Sequence, residues 1–134
     1  MLFRSMSTAV EEMLRWVTPV KTLAREVVED IELEGQGLAA GDRVIMLFES
    51  GNRDAAQFNQ ADEFDISRDP NRHLSFGGYG RHHCLGAHLA RLEIRVMLEE
   101  LLSRLPGLRR AQDGGASRRY GTFVLGYESF PVQF

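Results

Sequence analysis

The chemistry-bearing residues of this chain are confined to one short window, Asn71-Arg-His-Leu-Ser-Phe-Gly-Gly-Tyr-Gly-Arg-His-His-Cys-Leu-Gly-Ala-His88. All four histidines, His73, His82, His83 and His88, and the only cysteine, Cys84, fall inside it. Gly77, Gly78, Gly80 and Gly86 surround the cysteine. Strong ligands and close-approach backbone are thus placed together, which is what a bound metal or metallo-cofactor requires. A single cysteine makes no internal disulfide, so the thiol is either a buried bystander or a reagent.

The rest of the chain bounds the answer. At 134 residues with 43% hydrophobic and 26% charged residues, it matches one soluble globular domain. The formal net charge of −3 gives no basis for expecting nucleic acid. No apolar run approaches the roughly 20 residues that span a bilayer, and the opening Met1 to Met6 lacks the apolar core of a signal peptide. A cytoplasmic protein without a membrane partner is expected.

Periodicity places the window among recognisable elements. Ser7 to Val17 reads as a helix, with Thr8 and Glu11 as a capping box, Val10, Met13, Leu14 and Val17 as its apolar face, and Trp16 widening it. Val27–Val28, Ile31 and Leu33, and Val44 to Phe48 are strand-like runs. Glu34 to Gly37 and Ala40 to Asp42 separate them, so small β-hairpins are expected. Asn52 to Phe58 forms one or two helical turns capped by Asn52. Ala61 to Phe76 has no period and reads as a functional loop. From Cys84 to Leu105 the spacing of Leu85, Leu89, Leu92 and Val96 predicts a helix about 30 Å long, buried on more than one side and stopped by Pro106-Gly107. Tyr120 to Leu125 and Phe130 to Phe134 read as a final hairpin turning at Gly126. The expected fold is α+β and mainly helical, with small hairpins and a long helix starting at the cysteine.

Three readings of the window compete: a buried structural cysteine, a zinc site of Cys84, His88, His82 and His73, and a haem iron held by one axial thiolate. A tetrahedral zinc site needs no flat clearance and leaves the glycines unexplained. A cysteine at a helix start is favoured as thiolate by the helix dipole, and glycines remove side chains that would block a flat ligand. Arg81, His82 and His83 offer cationic donors to carboxylates at its rim.

Phe76-Gly-Gly-Tyr-Gly80-Arg-His82-His-Cys84-Leu-Gly86 resembles the haem-binding signature F-x-x-G-x-H-x-C-x-G of the cytochrome P-450 family. Gly80, His82 and Gly86 are in register with Cys84. Phe76 lies one residue upstream of its usual place, as though one glycine had been added. Glu12-Met-Leu-Arg15 is similar to the family's E-x-x-R. The resemblance implies a haem bound through the Cys84 thiolate, with Phe76, Gly77, Gly80, His82 and Gly86 around it and Arg25 and His82 as propionate donors. It also implies a structural triad of Glu12, Arg15 and Arg68. His73 and His83 would line the haem edge or face water, and His88 would be structural. Thr18 to Leu23, with Val20 foremost, and Thr122, Phe123 and Val124 would border the substrate, with Leu125 and Gly126 shaping the hairpin tip.

The resemblance runs from Thr8 to Phe134, and family members are about three times as long. It makes residues 1–134 the C-terminal haem-binding part of a haem-thiolate monooxygenase, lacking the N-terminal portion and the central oxygen-activating helix. It implies hydroxylation of a small apolar molecule, and actinobacterial members acting on lipids or steroids are similar in character. A ferredoxin-type redox partner would dock on the cysteine side, against Arg72, Arg81, Arg91 and Arg95. The alternative is a catalytically silent remnant, or a haem-binding module completed by another chain.

Overall fold

The computed structural model describes residues 2–112, 114–119, 121 and 123–134; Tyr120 and Thr122, which the sequence reading uses, lie outside them. Helix α1 spans Leu2–Val17. It begins five residues before the expected Ser7, so Thr8 is an interior residue and the capping box does not form. Once a helix is nucleated, an interior threonine costs little, and the apolar spacing continues back to half-buried Met6. Ala9, Val10 and Leu14 are buried on the inner face, while Val17 is half exposed.

The helix stops at Thr18, whose φ of 42° is a left-handed value rare for a β-branched residue. That conformation is held from several sides. Thr18 N–H donates to Leu14 O at 3.0 Å, its hydroxyl donates to Arg15 O at 2.7 Å, and the same hydroxyl accepts from Asn52 at 2.9 Å. Pro19 then carries the chain away.

Two antiparallel pairs follow. Strand β1 (Thr22–Glu26) pairs with β4 (Arg43–Leu47), Ala24 opposite Ile45, and β2 (Ile31–Leu33) pairs with β3 (Gln36–Leu38). One hairpin, β2–β3, forms as expected, but β1 pairs with β4 across it, the first strand precedes Val27–Val28, and Gly37 lies in a strand rather than a turn. The β2–β3 turn is Glu34-Gly35, both at positive φ (51° and 78°), the two-residue geometry whose twist matches its flanking strands. Short helix α2 (Phe48–Gly51) ends at Asn52. Asn52 is therefore a C-cap, and the helical turns expected after it are loop turns.

From Arg53 to Gly86 no helix or paired strand forms. Helix α3 spans Ala87–Arg104. It starts three residues after the cysteine, because Gly86 is its N-cap and the bond from Ala90 N–H to Gly86 O at 2.9 Å opens its α-helical ladder. Expected burial on several sides does not occur: Leu89 is 59% and Met97 54% exposed, and only Ala87 is buried. The last segment also pairs differently from expectation. Strand β5 (Arg109–Arg110) pairs with β8 (Val132–Gln133) and β6 (Ser117–Arg119) with β7 (Gly126–Ser129), so Gly126 is a strand residue and not the turn. The architecture is α+β, but loops and turns outweigh the helices. No helix among the described residues is long and apolar enough to cross a membrane.

Candidate functional site

The centre of the molecule is polar. Arg15 is fully buried, and all five of its N–H groups are used. Nε and Nη2 donate to the two Glu12 oxygens at 2.8 and 2.7 Å. Nη1 donates to Asn52 O at 2.7 Å and Ala61 O at 2.8 Å, and Nη2 also to Glu63 O at 2.9 Å. The i,i+3 spacing made the Glu12–Arg15 pair legible, and the wide loop closes around it.

Arg68 joins as expected, with Nε 3.1 Å from Glu12 Oε2. Its remaining donors go to Asn59 O, Gln60 O and Glu63 O. Glu12 also accepts from Asn71 Nδ2 and from the Asp65 N–H, both at 2.9 Å. Burial of Glu12 opposes ionisation, yet hydrogen bonds from Arg15 and the Asp65 backbone, with the charges of Arg15 and Arg68, bring its carboxyl down to about 2.

A second buried node, absent from the sequence reading, centres on Asn52. Its Nδ2 donates to Thr18 Oγ1 at 2.9 Å and to Ser75 Oγ at 3.1 Å. Its Oδ1 accepts the Leu74 N–H at 2.6 Å, and Ser75 Oγ donates to Leu14 O at 2.7 Å. The end of α1 is thereby tied to the residues that enter the cysteine loop. Three polar side chains far apart in sequence carry no periodic signal, so Asn52 drew notice only on the wrong side of a helix, and Thr18, expected beside the substrate, is instead buried in this node.

Beyond this node the backbone turns through Gly77 (φ 85°) and Gly80 (φ 110°), values open to glycine and costly for other residues. Cys84 N–H donates to Phe76 O at 3.0 Å and closes the loop. Cys84 is exposed. A Cβ at Gly86 would lie 3.9 Å from its sulfur, in ordinary van der Waals contact.

The thiol faces a cavity of about 510 Å³. Val20, Arg25, Phe76, Gly77, His82, Cys84 and Phe123 of the expected site line it, with Pro19 and Leu23 beside Val20. Val124 is bridged to Val20 as a short antiparallel contact. Gly80 and Gly86 shape the loop without lining the cavity. Arg25 is exposed, and its Nη1 reaches only its neighbour's carbonyl, Ala24 O, at 3.0 Å. A lone thiol, the guanidinium of Arg25, the imidazole of His82 and an apolar wall converge on one cavity, a donor set that suits an iron porphyrin with two carboxylates.

Other expectations are corrected. His73 neither lines the cavity nor faces water: its ring is 2% exposed and Nε2 lies 2.9 Å from Glu11 Oε2. His88 is exposed and borders a separate groove with Ser7, Glu11 and Arg95 rather than the Cys84 cavity. Among the described residues no three His, Cys, Asp or Glu side chains converge as a metal site, which separates His73 and His88 from Cys84 as zinc ligands. Of the four arginines expected as a docking patch, Arg91 is committed to Glu11 at 2.6 Å and Arg95 lies 4.0 Å from Glu99, while Arg72 and Arg81 are exposed.

The Cytochrome P450 family model matches residues 5–106. The chain is 50% identical over 127 residues to a steroid C26-monooxygenase of Mycobacterium tuberculosis, covering 94% of this chain and 34% of that protein. It is 45% identical over 125 residues to a methyl-branched lipid omega-hydroxylase of Mycobacterium bovis, covering 93% and 29%. A Mycobacterium marinum cytochrome P450 in complex with pseudoionone superposes with a TM-score of 0.93 at 44% identity, over 99% of this chain and 31% of that one. The chain thus spans about a third of the length of these relatives.

Proposed function

Because the chain belongs to the cytochrome P450 family, we propose that it is the C-terminal, haem-binding part of a monooxygenase, in which Cys84 would hold the haem iron. One observation carries the reading: the single thiol of the chain opens onto the same cavity as Arg25, His82, Phe76 and the apolar Val20 and Phe123. When bound, the haem supplies the activation of oxygen for C–H hydroxylation, its iron made electron-rich by the sulfur.

The residues of the chain have narrower tasks. Cys84 would hold the iron through its sulfur. Arg25 and His82 neutralise the carboxylates at the rim. Gly77, Gly80 and Gly86 keep the loop close and free of side chains, and Phe76 walls the sulfur. Glu12, Arg15 and Arg68 retain the loop rather than react. Val20, Phe123 and Val124 present apolar surface to the substrate; Thr122, proposed beside them, lies outside the described residues. The names of the relatives, a steroid C26-monooxygenase and a methyl-branched lipid omega-hydroxylase, agree with an apolar substrate of that class. Electrons come from a ferredoxin-type partner, for which the exposed Arg72 and Arg81 offer positive charge.

A second reading, a haem-binding module that needs another chain, is favoured by α3. Leu85 is fully exposed, and Leu89, Leu92 and Val96 of α3 are about half exposed. We propose that an N-terminal portion, on this chain or another, covers them. The test is spectroscopic. Protein loaded with haem, reduced and treated with carbon monoxide is expected to show the red-shifted band of a thiolate-ligated iron, and Cys84→Ser to lose it. Folded wild-type protein without that band rejects the haem reading. A band without hydroxylation of a steroid or branched lipid, given ferredoxin and its reductase, favours the module.

A further inference from the structure

One half-buried cluster outside the cavity has no role in the reading above. Glu11 on α1 receives two hydrogen bonds from Arg91 on α3, Nε at 2.6 Å and Nη2 at 2.8 Å. This two-toothed grip crosses 80 residues of chain. Glu11 also meets His73 Nε2 at 2.9 Å. His73 Nδ1 accepts the Ser75 N–H at 3.2 Å, which puts the proton of the neutral ring on Nε2, donating to Glu11. The Arg91 guanidinium lies over the Phe76 ring, 4.6 Å from its centroid. The His73 ring packs against the same phenyl at 6.0 Å. Phe76 lines the cavity beside Cys84 and accepts the Cys84 N–H through its carbonyl.

We propose that Arg91, gripped by Glu11, is a positioning residue for the Cys84 sulfur, acting through the ring and carbonyl of Phe76. The inference rests on the haem–thiolate reading for what the sulfur binds, but not for the existence of the clamp. A loop containing Gly77, Gly78 and Gly80 has little stiffness of its own. Phe76 touches both α3 and the cysteine backbone, so fixing its ring fixes the height of the sulfur. An isolated arginine would sample many rotamers over that ring. Two bonds to one carboxylate leave it a single plane, which a lysine cannot reproduce. Half-burial of Glu11 resists its charge, yet the hydrogen bonds from His73 and Arg91 hold its carboxyl at about 2, so the grip stays ionised at any working pH.

Amide hydrogen exchange on the 134-residue chain without added haem tests this directly. Arg91→Ala is expected to speed exchange at the Cys84 amide about tenfold or more while leaving the Glu12–Arg15 segment of α1 unchanged. Arg91→Lys should fall between the two, and Phe76→Leu should match Arg91→Ala with the Glu11–Arg91 pair intact. If Arg91→Ala fails to fold, Glu11→Gln, which keeps the volume, reports the same quantity. Unchanged Cys84 exchange in these variants overturns the proposal, and so does an equal rise throughout α1, which marks general stability alone. With haem and carbon monoxide, Arg91→Ala should lower the fraction of thiolate-type band and Arg91→Lys should restore part of it. Wild-type protein that takes up no haem defeats the haem reading, while the exchange result still decides the clamp.

Discussion

Arg15 illustrates how much one side chain organises here. Its five donors meet one carboxylate and three carbonyls inside a site closed to water. Removing one partner of such a pair strands a buried charge, so Glu12→Gln is expected to destabilise the protein by about 3–5 kcal/mol in urea denaturation. The same carboxylate predicts the acid limb. Its pKa is near 4.5 when unfolded and about 2 when folded, so its stabilisation is complete above 4.5 and disappears as pH falls towards 2. Glu11, also held at about 2, adds to that limb. Melting temperature against pH should therefore fall steeply between 4.5 and 2 for wild type, and less steeply for Glu12→Gln. The Glu12–Arg15 pair was legible because both residues lie within one helical turn, and Arg68 was legible through the order of motifs in the resembled family. Glu11 was misread as a cap, and Arg91 as a free surface cation, because neither shows in sequence the partner it meets 80 residues away.

Among the elements, the β2–β3 hairpin and the long helix α3 follow from pattern, whereas their ends do not. Leu85 fits the helical stripe of Leu89 and Leu92 by spacing, yet it precedes the helix and is fully exposed. Glycine at position 86 decides the start. The turn of the β2–β3 hairpin is testable: Gly35 at φ 78° has open space around it, so only backbone conformation resists a side chain. Gly35→Val should destabilise by about 1–2 kcal/mol and Gly35→Asn by less, read from thermal melts. At the junction of α1, α2 and the cysteine loop, Asn52→Ala leaves the Leu74 N–H without its acceptor and Ser75 Oγ without its donor. A loss of about 1–3 kcal/mol is expected, with faster exchange of the Leu74 amide as the specific sign. Thr18 should feel that change too, since Asn52 helps hold its left-handed backbone.

Taken as a whole, the molecule sets a polar centre beside a small apolar core: among the described residues its largest fully buried side chains are Arg15, Glu12, Asn52 and Thr18, while leucines and valines of α3 meet solvent. Hydrophobic pattern alone therefore predicted a buried α3 and overlooked a polar centre. Replacing Leu89 and Val96 together by lysine should lower binding of a hydrophobic dye and raise solubility, with little change in stability, because both side chains are already about half exposed. The wide loop between α2 and α3 has another property of molecular scale. Arg15 and Arg68 hold it by the carbonyls of Asn52, Asn59, Gln60, Ala61 and Glu63. A carbonyl is the same atom in every amino acid. The exposed carriers Asn59 and Glu63 are free to drift in identity so long as the chain keeps its path, and can change the surface chemistry without loosening what lies beneath, whereas Asn52 is held by its own amide, Ala61 by burial and Gln60 by a φ of 50°.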